Sequence, residues 1–347
     1  MSLLANITRL LSKKPAVGVT PADVVHRENK WRLLRYRARA AGRAFATPIL
    51  LVPSLINRHY VLDLIPGKSF AEYLVGQGWD VWVIDWGTPG DEDRLVSFDD
   101  ICDRALGRAL RLCARSGPGG RAHLMGYCLG GTLTAIHAAV RPERVATLTA
   151  LAAPIGFHDD GLLSAWTRSR GFDVGALVDA CGNVPWQLMQ GAFQLLRPTL
   201  TLSKLVHLAD KVGKSDAAGF DEFADGFLAL ETWGNDNVAF PGEFYRRYVG
   251  ELYQQDALLA GTFTLSGQPV DLGAIKCPTL AVTFASDGIV PWRSAAVLLE
   301  RIGTPEAERL QIHQPGGHVG GFVSRSATRT LWPKMAAFWA ARDELAT

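Results

Sequence analysis

The chemistry of this chain starts at Cys128. It lies in the segment Gly-Tyr-Cys-Leu-Gly-Gly, directly after a short apolar run and before a helical pattern. This is the setting of the G-x-S-x-G nucleophile elbow, in which a strand turns sharply into a helix, with sulfur where oxygen is usual. Glycines on both sides permit the turn because they carry no Cβ. The sequence therefore predicts a cysteine nucleophile, which is intrinsically more nucleophilic than a serine hydroxyl.

A candidate acid and a candidate base follow in the order that such a nucleophile needs. Asp287 lies in Ser-Asp-Gly-Ile-Val-Pro-Trp after one predicted strand, and His318 lies in Pro-Gly-Gly-His-Val-Gly-Gly after the next. The carboxyl ends of parallel strands share one edge of a sheet, and nucleophile, acid, histidine is the chain order of α/β-hydrolases. We expect His318 to accept the thiol proton or to pair with the thiolate, and Asp287 to hold the imidazole tautomer.

Two backbone N–H groups are expected to form an oxyanion hole. The first is the N–H of Leu129, the residue after the nucleophile. The second belongs to the loop after Val52, at Leu55 or Ile56, and we assign it to Ile56. Removing one such donor typically raises the barrier by about 3–4 kcal/mol. Substrate-binding residues are not assigned.

Each candidate also has an ordinary structural interpretation. A buried cysteine is usually a small, inert hydrophobe. That interpretation fits the other cysteines, which are Cys102, Cys113, Cys181 and Cys277. An aspartate before glycine can be a turn residue, and His123 and His137 are expected to be structural. The glycine-flanked elbow, the position after a late strand and the glycine loop favour chemistry for Cys128, Asp287 and His318.

Strand and helix patterns alternate around these residues. The predicted strands cover residues 48–52, 81–86, 122–125, 145–151, 279–284 and 310–313, the predicted helices cover 69–77, 98–113, 131–140 and 327–345, and a hairpin of 24–27 with 31–36 precedes them. Continuous apolar strands alternating with helices predict a mostly parallel central sheet with helices on both faces. The fold class is therefore α/β, and together with the chemistry it is the α/β-hydrolase fold.

The alternation stops after Pro154 and resumes near residue 279. We predict a helical cap insertion at 157–265 within an α/β-hydrolase core of 22–156 and 266–347. Residues 1–21 form an N-terminal helix or extension. Its apolar residues have helical spacing, which is typical of a helix packed on the domain or a partner, or of a helix lying on an apolar–water interface.

Composition excludes several classes of protein. The chain has 347 residues with 48% apolar and 20% charged residues, which is the balance of a soluble globular protein. A net charge of +2 gives no indication of nucleic-acid binding. Five cysteines without C-x-x-C spacing argue against disulfides and zinc and for the reducing cytoplasm. No run of eighteen apolar residues exists, so an integral membrane segment is not expected.

The sulfur itself indicates a substrate class. Exchange of an acyl group between a thioester and an enzyme thiol is nearly isoenergetic, and transfer onward to an alcohol is downhill, which favours an acyltransferase that uses acyl-CoA. Such an enzyme must keep water from its acyl-cysteine. The predicted cap is rich in aromatic residues that could do this or could serve core and dimer packing. They are Trp166, Trp186, Phe193, Trp233, Phe240, Phe244 and Tyr245.

Over roughly residues 22–342 the chain resembles the catalytic domain of polyhydroxyalkanoate synthases. The matching segments are 52–57, 61–64, 77–87, 126–133, 141–145, 236–237, 240–243, 286–292 and 315–320. The resemblance implies (R)-3-hydroxyacyl-CoA as substrate and Cys128 as carrier of the growing polyester chain, with His318 activating Cys128 and the incoming hydroxyl. It also implies a homodimer at the surface of cytoplasmic polyester granules, with no metal or bound cofactor, because the CoA thioester is a substrate.

Two departures leave the branch of this family open. Gly288 follows the acid, where many members have histidine. The chain lacks the long N-terminal domain of the single-subunit classes and is closer in length to synthases that need a second, noncatalytic subunit. The sequence of its elbow, with Tyr127 and Leu129, is more similar to the elbow of the longer synthases. A second subunit is therefore a partner that the resemblance allows.

Two other functions fit the same residues. A thiol hydrolase, either a polyhydroxyalkanoate depolymerase or an acyl-CoA thioesterase, would use the same triad because water and an alcohol use the same base. A noncatalytic, granule-associated homologue would carry the elbow as a vestige. The sequence alone does not separate the first of these from a synthase, whereas Cys128, Asp287 and His318 together argue against the second.

Overall fold

The computed structural model describes residues 13–38, 42–196 and 217–343. Its strands are β1 (Ala22–Glu28), β2 (Trp31–Tyr36), β3 (Ile49–Val52), β4 (Val81–Asp85), β5 (Ala122–Tyr127), β6 (Val145–Leu151), β7 (Thr264–Leu265), β8 (Gln268–Pro269), β9 (Thr279–Phe284) and β10 (Arg309–Gln314). Eight of them form one sheet in the order β1-β2-β4-β3-β5-β6-β9-β10. The first two pairings, β1 with β2 and β2 with β4, are antiparallel, and the others are parallel.

Helices cover both faces of this sheet. The α-helices are α1 (Phe70–Gly76), α2 (Leu106–Ala114), α3 (Leu129–Val140), α4 (Leu162–Thr167), α5 (Val174–Cys181), α6 (Trp186–Leu196), α7 (Ala217–Asn235), α8 (Gly242–Arg247), α9 (Ala257–Ala260), α10 (Trp292–Ala296), α11 (Leu298–Arg301), α12 (Gly320–Val323) and α13 (Arg325–Ala340). Short 3-10 turns cover His59–Leu62, Asp91–Leu95, Pro142–Arg144, Leu272–Ala274 and Glu306–Glu308, and π-helices cover Asp100–Ala105 and Tyr248–Gln254. The α/β-hydrolase architecture predicted from the sequence is confirmed.

Strand β3 shows why the sheet is buried on both sides. All four of its residues are fully buried. Leu50 and Val52 pack in the layer that contains α2 and α3, while Ile49 and Leu51 pack in the layer that contains α1 and α13. Successive side chains of a strand point to opposite faces, so a strand covered on both faces must be apolar throughout. This is the pattern from which the sequence predicted the parallel strands.

Local signals set the ends of several elements. The hairpin between β1 and β2 turns at Asn29, which has φ 49°. Ser69 caps α1, because its side chain accepts from the N–H of Glu72 at 2.9 Å. Ser97 and Asp100 exchange hydrogen bonds before the next helix, where the Ser97 N–H donates to the Asp100 carboxylate at 2.8 Å. These hairpin and capping signals were readable in the sequence.

The predicted helix at 98–113 differs in its first turns. It begins as the π-helix Asp100–Ala105 and continues as α2. The carbonyl oxygen of Cys102 accepts a hydrogen bond from His137 Nδ1 of α3 at 2.9 Å. That acceptor is therefore engaged outside its own helix, which accounts for the wider winding there. The periodicity of apolar residues predicts the helix but not this tertiary contact.

The cap is helical, as expected, with the short hairpin of β7 and β8 at its end. The N–H of Phe157 at its start donates to the carboxylate of Asp256 at 3.0 Å. The cap boundaries at 157 and 265 stay predictions. Residues 13–21 run as irregular chain, and the rest of the predicted N-terminal helix lies outside the described residues. In the part of the chain that is described, no helix combines the length and the apolarity needed to cross a membrane.

Candidate active site

Cys128 turns β5 into α3 within a single residue. Its backbone has φ 55° and ψ −129°, a conformation that residues with a Cβ rarely adopt. The Cys128 N–H donates to the carbonyl oxygen of Leu151 on β6 at 2.9 Å. Backbone strain of this kind costs on the order of 1–3 kcal/mol and occurs at functional sites. The strain here holds the sulfur at the C-terminal edge of the sheet, with the side chain 7% exposed.

Three glycines around the elbow are required by close packing. A Cβ at Gly126 would overlap the backbone of Gly130, and a Cβ at Gly131 would overlap the side chain of Ala153. A Cβ at Gly130 would overlap the carbonyl oxygen of Val52. The first turn of α3 therefore lies directly against the end of β3. This contact brings the loop after β3 next to the nucleophile.

Asp287 and His318 form a buried pair beside the elbow. The Nδ1 of His318 is 2.7 Å from the Oδ2 of Asp287, with the two side chains 8% and 1% exposed. The other carboxylate oxygen of Asp287 accepts from the N–H groups of Ile289 and Val290, both at 2.9 Å. Two backbone donors thus hold one oxygen of the Asp287 carboxylate. The other oxygen orients the Nδ1 of His318. The second ring nitrogen is left for the nucleophile.

The charge state of His318 follows from its neighbours. Burial alone would lower the pKa of His318, but the charges of Asp287 and Cys128, with hydrogen bonds to both, outweigh burial and raise the pKa to about 10. The ring of Tyr127 packs against the imidazole at 5.2 Å, and its hydroxyl donates to the His318 carbonyl oxygen at 3.4 Å. The structure therefore brings Cys128, Asp287 and His318 close enough for the first two to raise the pKa of the third.

The predicted oxyanion donors have different surroundings. Leu129 opens α3, and its N–H meets no protein acceptor among the described residues. The N–H of Ile56 donates to the hydroxyl of Ser54 at 3.2 Å, so it is already engaged. The N–H of Leu55, the alternative in the same loop, meets no protein acceptor in residues 13–38, 42–196 or 217–343. The geometry therefore favours Leu55 over Ile56 as the partner of Leu129.

A π-helix in the cap, Tyr248–Gln254, adds two tyrosines. In this winding, residues five apart lie near one face, and the rings of Tyr248 and Tyr253 are 5.4 Å apart. Both side chains are buried. Burial raises the pKa of each hydroxyl, and the charge of Cys128 raises it further. Both hydroxyls therefore lie within electrostatic reach of the nucleophile, on the cap side.

The comparisons with known proteins agree with this site. A family model described as the α/β hydrolase fold matches residues 47–324, and one described as the N-terminus of poly-beta-hydroxybutyrate polymerase (PhaC) matches residues 13–74. A poly(3-hydroxyalkanoate) polymerase subunit PhaC of Allochromatium vinosum is 33% identical over 319 residues, which cover 91% of this chain and 87% of the relative. This chain belongs to the PhaC family.

Other PhaC relatives extend the match. The subunit of Haloferax mediterranei is 33% identical over 334 residues, and the match spans 96% of this chain but 66% of that protein. The subunit of Synechocystis is 30% identical over 350 residues, covering 99% of this chain and 90% of the relative. The family resemblance read from the elbow and the glycine–histidine loop is confirmed.

Solved structures resemble this PhaC chain in fold alone. A monoacylglycerol lipase of Paleococcus ferrophilus superimposes with a TM-score of 0.53 at 14% identity, over 91% of this chain and 100% of the lipase. The non-heme bromoperoxidase BpoC of Mycobacterium tuberculosis gives a TM-score of 0.53 at 17% identity, over 92% of this chain and 99% of BpoC. Sequence identities this low support a shared fold but do not support a shared reaction.

The aromatic residues predicted for the cap of this PhaC chain have mixed positions. Trp233, Phe240, Phe244 and Tyr245 are buried, Trp166 is half-buried, Trp186 is exposed, and the side chain of Phe193 lies outside the described residues. Phe244 stacks on Phe98 of the core with ring centroids 5.0 Å apart. The structure therefore supports a packing role for this aromatic pair. The paired tyrosines Tyr248 and Tyr253 were missed, because five-residue spacing places residues on different faces of an α-helix.

The other candidate residues have structural positions, with one correction. His123 and His137 are buried, and the Nδ1 of His123 is 3.0 Å from the hydroxyl of Thr147. Cys181 was expected to be a buried hydrophobe and is instead exposed, because it ends α5 on the surface. Within the described residues, no three His, Cys, Asp or Glu side chains converge in a way that could hold a metal ion.

Proposed function

We propose that this protein polymerises (R)-3-hydroxyacyl-CoA into polyhydroxyalkanoate through an acyl-cysteine at Cys128, with release of CoA. The observation that carries the proposal is a cysteine held in a left-handed elbow beside a buried His–Asp pair, in a chain of the PhaC family. The substrate class comes from the relatives, which are named poly(3-hydroxyalkanoate) polymerase subunits. The sulfur supports it, because a cysteine exchanges acyl groups with the thiol of CoA.

The first half-reaction loads the cysteine. The Sγ of Cys128 bonds to the thioester carbonyl carbon, the bond from that carbon to the CoA sulfur breaks, and the thiol proton passes through His318 to the departing CoA. The raised pKa of His318 supports this role, because an imidazolium beside the sulfur favours the thiolate that attacks. Asp287 holds Nδ1 so that the other ring nitrogen faces the reacting atoms.

The second half-reaction extends the polymer. The 3-hydroxyl of an incoming hydroxyacyl-CoA attacks the carbonyl carbon of the acyl-cysteine, and an ester C–O bond forms while the C–S bond breaks. The hydroxyl proton passes through His318 back to the Sγ of Cys128. The lengthened acyl-CoA then loads the cysteine again. The N–H groups of Leu129 and Leu55 are the proposed donors to the oxyanion in both half-reactions.

The cap supports transfer to an alcohol rather than to water. Tyr248 and Tyr253 are buried against other aromatic rings, including Phe157 with its ring centroid 4.8 Å from that of Tyr253. Apolar packing of this kind excludes water, and the exclusion of water would protect an acyl-cysteine at Cys128 from hydrolysis. The cap must therefore open for CoA and close during transfer. No resident metal or cofactor is part of the proposal, because side chains and backbone amides supply the nucleophile, the base and the oxyanion donors.

The family membership also bears on how the chain assembles. We propose that the chain works as a homodimer in the cytoplasm, at the surface of polyester granules, and accepts a second, noncatalytic synthase subunit. The relatives are themselves named subunits, which supports a multichain enzyme. Light scattering during size-exclusion chromatography measures the mass directly. A mass of one chain both with and without hydroxyacyl-CoA contradicts the dimer.

Incubation of the purified protein with 3-hydroxybutyryl-CoA tests the function. We expect free thiol to appear together with polymer, and we expect both to be lost in Cys128→Ala. The matched control is Cys181→Ala, because Cys181 is an exposed cysteine of the cap. Thiol release is followed spectroscopically and the product by mass spectrometry. Thiol release with free 3-hydroxybutyrate and no polymer means that the enzyme is a hydrolase.

A further inference from the structure

One segment of the cap is bonded to the loop that follows β3. We call Trp233 and residues 236–238 the cap clamp and residues 54–60 the oxyanion loop. Asn237 and Asn57 lie opposite each other in an isolated antiparallel bridge, and the Asn57 side-chain amide donates to the Oδ1 of Asn237. The N–H of Val238 donates to the carbonyl oxygen of Ile56 at 3.1 Å. These contacts join parts of the chain about 180 residues apart.

Asp236 makes a second set of contacts to the same loop. One of its carboxylate oxygens accepts from Arg58 Nε at 3.0 Å, and the other accepts from the hydroxyl of Tyr60 at 2.8 Å. The indole N–H of Trp233 donates to the carbonyl oxygen of Arg58 at 2.9 Å. Burial, and then the hydrogen bond to Asp236, raises the pKa of Tyr60, so its hydroxyl stays a donor. The cap clamp therefore holds residues 56, 57, 58 and 60.

The core holds the other end of the same loop. The indole N–H of Trp86 in the core donates to the carbonyl oxygen of Pro53 at 3.0 Å. Within the loop itself, the hydroxyl of Ser54 accepts from the N–H of Ile56. Leu55 lies between these two anchors, with its N–H free of protein acceptors within the described residues. The position of that N–H therefore depends on core contacts before it and on cap contacts after it.

We propose that Asp236 and Asn237 of the cap clamp are positioning residues that set the oxyanion donor of Leu55. This inference rests on the acyl-transfer function proposed above. Oxyanion donors act only when they are fixed close to the developing charge, and a misplacement of about 1 Å can reduce the rate about 100-fold. The contacts between the cap clamp and the oxyanion loop thus set the geometry of the oxyanion hole.

Two reactions at the same sulfur separate this role from a merely structural one. Acyl transfer passes through an oxyanion, whereas alkylation of Cys128 by iodoacetamide is a displacement at a saturated carbon and forms none. A variant with a misplaced donor is slow in the first reaction and normal in the second. A variant with a disturbed nucleophile, a collapsed cap or a partly unfolded chain changes both.

The test compares Asn237→Ala and Asp236→Asn with two matched cap variants. Asn235→Ala removes an amide whose partners, Gln190 and Glu231, both belong to the cap. Asp179→Asn removes a carboxylate that pairs with Arg246 of the cap at 2.7 Å. The measured quantities are kcat with 3-hydroxybutyryl-CoA, the alkylation rate of the peptide that contains Cys128, read by mass spectrometry, and the melting temperature.

We expect kcat to fall about 10- to 100-fold in Asn237→Ala and Asp236→Asn, with alkylation within about twofold of the wild-type rate. The two control variants should retain wild-type kcat. Unchanged kcat in both clamp variants overturns the inference, and so does a parallel loss of kcat and alkylation. Each measurement is repeated with 4-nitrophenyl butyrate as acyl donor. If the wild type acts on this ester but not on hydroxybutyryl-CoA, the proposed function fails while the inference is still tested.

Discussion

His318 is the residue on which the chemistry of the site depends. Its burial opposes a charge on the ring, but Asp287 at 2.7 Å and Cys128 reverse that effect and raise the pKa of His318 to about 10. These neighbours therefore favour the protonated ring in the folded protein. Such a ring can return a proton to a departing CoA or to the cysteine. Gly288 follows the acid directly, and the backbone N–H groups of Ile289 and Val290 both donate to the Asp287 carboxylate.

The raised pKa of His318 predicts how stability varies with pH. The pKa of His318 is about 10 in the folded protein and close to 6.5 in the unfolded chain. Its contribution to stability is therefore complete below pH 6.5 and declines as the pH rises through 10. In Asp287→Asn we expect this alkaline decline to become smaller, because the charge of Asp287 is the largest effect that raises this pKa, and we expect kcat to fall by about 10⁴-fold. Urea unfolding between pH 6 and 10 and CoA release measure the two effects.

Exposed Asp91→Asn is the control for this prediction, because it removes a carboxylate without touching the site. It should keep both kcat and the alkaline decline. An Asp287→Asn variant whose stability declines between pH 6.5 and 10 as in the wild type would show that Asp287 does not set the pKa of His318.

Single residues of the site were predictable where strand ends determine them. Cys128, Asp287 and His318 follow three parallel strands of one sheet, so their convergence follows from the order of the strands. The oxyanion donor was harder to assign, because the choice between Leu55 and Ile56 depends on which N–H the hydroxyl of Ser54 engages. That contact has no signature in the sequence.

The turn from β5 into α3 shows how elements hold the nucleophile. The first turn of α3 lies so close to β3 that a Cβ at Gly130 would overlap the carbonyl oxygen of Val52. Both sides of this contact are backbone in regular structure. Neither side can shift without moving the sheet or the elbow, so the glycine pattern is a packing requirement as well as a motif.

Gly130→Ala should therefore destabilise the protein by about 3 kcal/mol or more. The added methyl group would overlap backbone atoms that cannot move aside without distorting β3 or α3. Urea unfolding monitored by tryptophan fluorescence measures the loss. Gly171→Ala is the matched control, because a Cβ at Gly171 would meet nothing within 4 Å. If Gly130→Ala folds with wild-type stability and retains activity, the close approach of α3 to β3 is wrong.

Strands and π-helices differ in how well the sequence predicts them. Strands such as β4 and β6 are apolar runs of the right length, and β6 has the bounds that were expected. The π-helix Tyr248–Gln254 has no comparable pattern, because its winding depends on what its carbonyl groups and side chains contact. Its paired tyrosines, Tyr248 and Tyr253, could therefore not be assigned from their spacing.

At the scale of the whole molecule, function depends on how the cap is attached to the core. Arg247 of α8 pairs with Asp99 of the core at 2.7 Å and lies over the ring of Phe263 at 4.7 Å. The cap clamp bonds to the oxyanion loop through separate contacts. Contacts between residues more than a hundred positions apart depend on how the finished elements pack. The sequence predicted that a cap exists, but it could not predict which of its residues reach the core.

The buried His123 makes the stability of the whole fold sensitive to acid. It lies in β5, with its ring 5.5 Å from that of Trp79 and its Nε2 without a partner among the described residues. Burial lowers the pKa of His123 to about 4. The unfolded chain therefore binds the proton first, and stability is complete above pH 6.5 and falls as the pH drops from 6.5 towards 4.

Between pH 7.5 and pH 5 this single group should cost about 2 kcal/mol, at about 1.4 kcal/mol for each pH unit below 6.5. In His123→Asn the free energy of unfolding should fall less over the same interval, because the amide does not titrate and can replace Nδ1 beside Thr147. His158→Asn, at an exposed histidine, should follow the wild type. Urea unfolding at the two pH values gives the difference. Equal losses in the wild type and His123→Asn would show that the acid sensitivity comes from other groups, because only His123 is removed between them.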